Sequence, residues 1–153
     1  MKAIKSILCL AALLCLCQQS HAQLLKDPTT WTYEVKQKKD HVYQLIFHVK
    51  LAGDWHIYAL NPGTDKSVIP PSFHFNPAKN VQLIGKVKEI GKPRQLKIEG
   101  LDGVFRIFSG KADYVQEVKV NGVASINGEL EYQVCNDKTC LPSKKKPFAF
   151  QVR

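Results

Sequence analysis

Two cysteines set the chemistry open to this chain. Cys135 and Cys140 lie inside Tyr132-Gln-Val-Cys-Asn-Asp-Lys-Thr-Cys-Leu-Pro142, with four residues between them. Thiols this close can form a disulfide, hold a metal with outside ligands, or pass electrons to another protein. We read them as a redox pair, with two blander alternatives open on the residues alone. A staple closing so short a loop is worth about 2 kcal/mol, against about 3 for fifteen residues, and one meant to hold a sandwich would bridge distant strands. A structural metal site needs two more ligands. His41, His48, His56 and His74 are available, but none belongs to a paired ligand motif. The only methionine is Met1, which argues against a soft copper(I) site. No metal and no cofactor are therefore expected.

The neighbours favour exchange. Lys138 and Lys144 to Lys146 lie close in sequence and would stabilise a thiolate, while Asp137 pulls the other way. Cys135 ends a strand whose neighbours pack inward, and Cys140 lies in the loop. Cys140 is thus the sulfur expected to meet a partner, with Cys135 resolving the mixed disulfide. Nothing in the chain resembles a Ser-His-Asp hydrolase, a paired-carboxylate glycosidase or a phosphate loop.

The 153 residues make one domain's worth of chain. Its first stretch reads as a secretory signal peptide over residues 1–22: Met1-Lys-Ala-Ile-Lys5 is a basic lead, Ser6 to Cys17 is a short apolar run, and Ser20-His-Ala22 offers small residues before a cut at Gln23. A retained anchor is the alternative. A lipoprotein cut before Cys17 is disfavoured by Leu16, where a small residue is expected. The cut removes Cys9, Cys15 and Cys17, leaving two cysteines. It also removes Lys2 and Lys5, so the formal charge falls from +9 to +7, with 20 basic against 13 acidic residues. The expected location is outside the cytoplasm, where disulfides persist. Apart from Lys144 to Lys146 the basic residues are spread out, and export makes nucleic acid an unexpected partner.

Almost everything after Gln23 reads as short strands. Trp31 to Val35 opens, and a charged turn follows over Gln37 to Asp40. In His41 to Leu51, Tyr43, Leu45, Phe47, Val49 and Leu51 share one face at period two. Strands are expected at Trp55 to Tyr58, Ser72 to Phe75, Val81 to Glu89, Leu96 to Glu99, Val104 to Phe108 and Tyr114 to Val120. Asn121-Gly122 signals a hairpin turn into Ala124 to Val134, and Phe148, Phe150 and Val152 alternate in the last strand. No amphipathic helix of three turns, internal repeat or low-complexity linker is evident. The pattern predicts one all-β domain over residues 23–153: an immunoglobulin-like antiparallel β-sandwich with the cysteines between its last two strands.

The cysteine segment resembles the active-site segment of the N-terminal domain of DsbD, the bacterial thiol:disulfide interchange protein. Phe108-Ser-Gly-Lys111 resembles that family's Phe-Tyr-Gly-Lys cap loop, and Trp55-His-Ile-Tyr58 is similar to the aromatic strand lining its pocket. The resemblance implies an immunoglobulin-like domain that takes electrons from a membrane-embedded donor and hands them to exported thioredoxin-like thiol oxidoreductases. It implies that Cys135 and Cys140 carry the exchange, that Phe108 shields the pair, that Tyr58 lines the site, and that Cys140 forms the mixed disulfide. Phe108 has a second reading as plain core, since it ends an apolar strand. Ser109 replaces the cap tyrosine, and Ser143 stands where a second proline is common. With Arg153 as the last residue, a stand-alone module or a relative with a changed task is expected, and a monomer. The competing class is an exported immunoglobulin-like binding module, with Trp31, Trp55 and Tyr58 as contact residues and the cysteines as a rim staple.

Overall fold

A computed structural model describes residues 26–63, 67–98 and 103–153. The expected signal peptide, its cut before Gln23 and the Glu99 end of one expected strand lie outside the described residues. Among the described residues eleven strands are present: β1 (Thr29–Lys39), β2 (Val42–Leu51), β3 (His56–Tyr58), β4 (Ser72–Asn76), β5 (Val81–Ile90), β6 (Arg94–Leu96), β7 (Phe105–Ser109), β8 (Lys111–Val120), β9 (Ala124–Tyr132), β10 (Val134–Cys135) and β11 (Lys144–Val152). They pair antiparallel throughout, in the orders β1-β2-β8-β5, β10-β3-β7-β6 and β11-β9-β4. The fold is the expected immunoglobulin-like β-sandwich. Among the described residues no helix is long and apolar enough to cross a membrane.

Alternation builds the core. Leu45, Phe47, Val49 and Leu51 of β2 point inward together with Tyr114, Val118 and Val120 of β8. They meet Ile126 and Leu130 of β9 and Phe148, Phe150 and Val152 of β11 from the facing layer. Phe47 is fully buried at the centre. Its ring lies 4.8 Å from those of Phe73 and Phe148 and 5.0 Å from that of Phe150. Burial of such a side chain contributes about 1.5–3 kcal/mol, and each well-oriented ring pair about 0.5–1.5 more. Gly128 keeps the facing strand close: a Cβ there would collide with the His74 carbonyl and the Phe148 ring.

Two turns differ from expectation. The charged run after Val35 continues β1 to Lys39 through an irregular register between Gln37 and Lys39, and the reversal falls at His41, at φ 58°. Asn121-Gly122 does have a left-handed glycine, at φ 82°. It does not close a hairpin, because β8 pairs with β2 and β5 whereas β9 pairs with β4 and β11. The turn crosses between layers, and Asn80 holds it by donating Nδ2 to the Asn121 and Val123 carbonyls at 3.1 and 3.0 Å. A local turn signal specifies backbone curvature but not which neighbours the next strand will pair with.

The strands of the small sheet that holds Cys135 continue from the larger layers by switching sheets. β7 runs into β8 through Gly110, at φ 74°, and β9 runs into β10 through Gln133. In the small sheet, Val134, Ile57 and Phe108 form one cross-strand row, and Cys135, His56 and Ser109 form the next. Successive residues face opposite ways. Phe108 therefore belongs with Ile57 and Val134 in the main core, and Cys135 belongs with Tyr58, Phe105 and Ile107 in a second, smaller cluster. Phe108, expected as a shield, is buried in the main core, because alternation turns its ring inward. Phe108→Ala should accordingly cost about 3–5 kcal/mol, as for other core phenylalanines. Alkylation of the reduced cysteines in the folded fraction should stay at the wild-type rate. Thermal melts paired with iodoacetamide kinetics read both quantities; faster alkylation without loss of stability would restore the shield.

Candidate redox site

Cys135 and Cys140 are joined in a disulfide, with Cα atoms 4.0 Å apart. The loop between them is held by its own backbone. Asn136 N–H donates to the Thr139 carbonyl at 2.9 Å, and Leu141 N–H to the Val134 carbonyl at 2.9 Å. The Asn136 side-chain oxygen accepts from the amides of Lys138 and Thr139 at 3.0 and 2.9 Å. An asparagine here satisfies turn amides that solvent would otherwise have to meet. Gln133 donates Nε2 to the Leu141 carbonyl at 3.0 Å, and Leu141 itself is buried in the main core. The loop is thus tied at both ends without help from the sulfur–sulfur bond.

The two sulfurs are in unequal surroundings. Cys135 is 1% exposed, whereas Cys140 is exposed at the rim. Beside the pair opens a cleft of about 610 Å³, lined by His56, Tyr58, Val68, Leu96, Ile98 and the disulfide loop. Tyr58, read from sequence as a wall of the site, lines this cleft, is 2% exposed, and packs with Cys135 in the smaller cluster. Phe108 is not among the cleft's walls.

The charges differ from those that proximity in sequence suggested. Lys144 Nζ lies 3.3 Å from Asp27 Oδ2, and Lys145 Nζ 3.3 Å from Glu129 Oε1. Those two lysines of the triplet are matched on β11. Lys138 and Lys97 are the lysines on the cleft wall, with Asp137 beside them. The Asp27 carboxylate also accepts from Tyr132 Oη at 2.7 Å, and Tyr132 in turn accepts from Thr29 Oγ1 at 3.1 Å. Burial opposes ionisation of Asp27, but the hydrogen bonds from Tyr132 and Thr29 outweigh it and hold its pKa below the usual value. Burial, with the nearby carboxylate, pushes the Tyr132 hydroxyl up to about 12. This tie fixes the end of β9 three residues before Cys135.

Of the four histidines among the described residues, one lies at the site. His48 is held between Asp113 Oδ1 at 2.7 Å and Glu34 Oε2 at 3.2 Å on the outer face of β2. His41 sits in the β1–β2 turn, and His74 lies beside Ser72 on β4. His56 is the cross-strand partner of Cys135 and is 1% exposed. Burial lowers its pKa, Arg94 adds to the effect, and Asp137 opposes it. Sequence reasoning singled out His56 only as one of several unpaired metal candidates, because strand register is invisible without the fold. It passed over Asn136 and Leu141 altogether. Asn136-Asp137 carries a turn signal that could have been used.

The aromatic residues of the binding-module alternative are mostly internal. Trp31 is core, with ring centroids 6.1 Å from Tyr114 and 5.1 Å from Tyr132, and Trp55 is half-buried.

Comparison with known proteins agrees with this architecture. No curated protein matches the sequence. Among solved structures, the N-terminal periplasmic domain of ScsB from Proteus mirabilis superposes with a TM-score of 0.59 at 14% identity, over 82% of this chain. The chain spans 46% of that structure's length. The reduced DsbD N-terminal domain of Neisseria meningitidis gives 0.54 at 16% identity, over 80% of this chain and 85% of that one. A complex between the DsbD and PilB N-terminal domains of Neisseria meningitidis gives 0.53 at 18% identity, over 83% and 87%. At these identities the superpositions establish the fold. The model for the family described as thiol:disulfide interchange protein DsbD, N-terminal, matches residues 21–151, and the chain therefore belongs to that family.

Proposed function

We infer that this domain exchanges electrons with exported thiol oxidoreductases through the Cys135–Cys140 pair. The observation that carries the reading is the unequal exposure of two bonded sulfurs on a pre-shaped loop: Cys135 is 1% exposed and Cys140 stands at the cleft rim. A structural disulfide gains nothing from presenting one sulfur to solvent. An exchange pair requires it, because attack on an incoming disulfide needs in-line access to one thiolate while the other waits to resolve.

In the reduced domain Cys140 attacks a partner disulfide, forming a mixed disulfide and releasing the first partner thiolate. Cys135 then attacks Cys140 Sγ, re-forming the internal disulfide and releasing the partner's second thiol. Two electrons pass to the partner; run backwards, the same steps reduce the domain. Lys138 at the rim favours the Cys140 thiolate and Asp137 moderates it. Tyr58 walls the apolar side, and Phe108 supports the sheet from the core. Family membership supports a periplasmic location and a membrane-embedded electron donor. The Neisseria complex supports docking of a protein partner on a domain of this fold.

Cys135→Ser, which leaves Cys140 without its resolving partner, should accumulate a disulfide-linked complex with an exported thioredoxin-like oxidoreductase on non-reducing gels. Cys140→Ser should trap little, and equal or better trapping by it would reverse the assignment of roles. Because so short a loop constrains the unfolded chain weakly, reduction should cost only about 2 kcal/mol. The far-UV β signal should persist in mild reductant at room temperature; its collapse would make the bond a staple.

A further inference from the structure

His56 is a buried titratable side chain that the exchange as written does not use. Both its ring nitrogens are inaccessible and lack a hydrogen-bond partner among the described residues. A satisfied core histidine would have filled at least one of them, since buried polar atoms normally do. The ring lies edge-on to Tyr58, with centroids 5.6 Å apart. It is directly opposite Cys135 in the β3–β10 register, and both residues line the cleft. Side chains opposite each other in an antiparallel pair hold their Cβ atoms about 4.5–5.5 Å apart, so an imidazole reaches the neighbouring sulfur by a rotamer change.

The chemistry leaves a place for such a group. Cys140 is exposed and can lose its proton to water. Cys135 is packed with Tyr58, Phe105 and Ile107, where a thiolate is disfavoured and water near neutral pH is a poor base. Its proton must nevertheless leave before it can attack. We propose that His56 is the proton acceptor for Cys135 in the resolving step, and its donor when the cycle runs in reverse. This rests on the exchange reading above. The Cys135 thiol gives its proton to a free imidazole nitrogen while its sulfur attacks Cys140 Sγ of the mixed disulfide. The bond between Cys140 and the partner sulfur breaks with its electron pair on the partner. The imidazolium then protonates the departing thiolate, returning His56 to its neutral form.

The groups facing the ring suit an acceptor. Arg94 of β6, which donates Nε to Ser109 Oγ at 3.2 Å, and the apolar wall both favour the neutral ring before the step. Asp137 of the loop favours the cation formed during it. Lys97 and Lys138 share the cleft wall with the ring, and Tyr58 on the same strand and Cys135 on β10 are its immediate neighbours.

The two steps separate with an aromatic disulfide whose released thiolate is coloured. Mixed with the reduced full chain, it should release one thiolate when Cys140 attacks and a second when Cys135 resolves. In His56→Phe the first phase should keep its rate and the second should slow by about 10²-fold near neutral pH, the usual size of a lost general base. The deficit should shrink as pH rises and hydroxide takes over. His56→Gln should show the same loss despite its polarity. His56→Phe should melt no lower than wild type, because it removes a buried polar group without partners. A wild-type second phase in either variant would overturn the assignment. So would equal slowing of both phases with a lowered melting temperature, which would make His56 structural. Failure of the wild-type chain to release any second thiolate would instead bring down the exchange reading, and this inference with it.

Discussion

The site depends on one short sheet that uses both its faces. In β10, β3 and β7, the row Val134, Ile57 and Phe108 is sealed in the main core, and the adjacent row Cys135, His56 and Ser109 faces the cleft side. Because strand side chains alternate with period two, a slip of one residue would exchange the rows wholesale. Ile57 and Val134 are almost fully buried, and each contributes about 1.5–3 kcal/mol to keeping the register. Cys135 therefore inherits its position from its neighbour. The sulfur that needs to be held still is next to the residue with the strongest reason not to move.

Such a short sheet cannot be stable alone, and the chain solves this by continuing its strands into the larger layers. β7 becomes β8 at Gly110, whose carbonyl accepts from Leu51 N–H at 2.8 Å, so the corner is pinned to the end of β2. β9 becomes β10 at Gln133, immediately after Tyr132 has anchored to Asp27. The far end of the loop returns through Leu141 into the core and then into β11. The disulfide loop is consequently bounded on each side by buried residues, and only Asp137 through Cys140 project as a fully exposed run. Reactivity is concentrated where the backbone is hydrogen-bonded to itself and the side chains are exposed.

Sequence carried the parts of this that depend on local pattern. Alternation over Tyr43 to Leu51 identified β2 and its buried face, and the Cys135–Cys140 spacing marked two thiols close enough to bond. The position of Tyr58 beside the pair came from resemblance rather than from pattern. Long-range pairing stayed hidden. Asn121-Gly122 has the composition of a hairpin turn and the expected left-handed glycine, yet it joins two layers, because partner choice is settled by the whole sandwich. Phe108 admitted two readings for the same reason: only its pairing with Ile57 shows that its ring turns into the core. The lysine triplet misled through proximity, since β11 directs Lys144 and Lys145 to Asp27 and Glu129.

Unequal exposure of the two sulfurs creates a chemical problem that the fold itself must meet. In the proposed exchange, access for a partner demands that one cysteine lie in water, and protection of the resolving thiol demands that the other lie out of it. Burial then raises the barrier to ionising the protected thiol, in a cluster whose other members are Tyr58, Phe105 and Ile107. Packing cannot solve this, because every apolar contact that shields Cys135 also disfavours its thiolate. A titratable ring placed in the same cross-strand row can, at the cost of leaving its nitrogens unsatisfied while the pair is oxidised. His56 shows that conflict between local stability and environment, which proteins tolerate chiefly where function requires it. The same alternation that buries Cys135 thus also brings His56 to it: strand pairing sets the geometry of the proposed exchange, and the core beneath fixes the pairing.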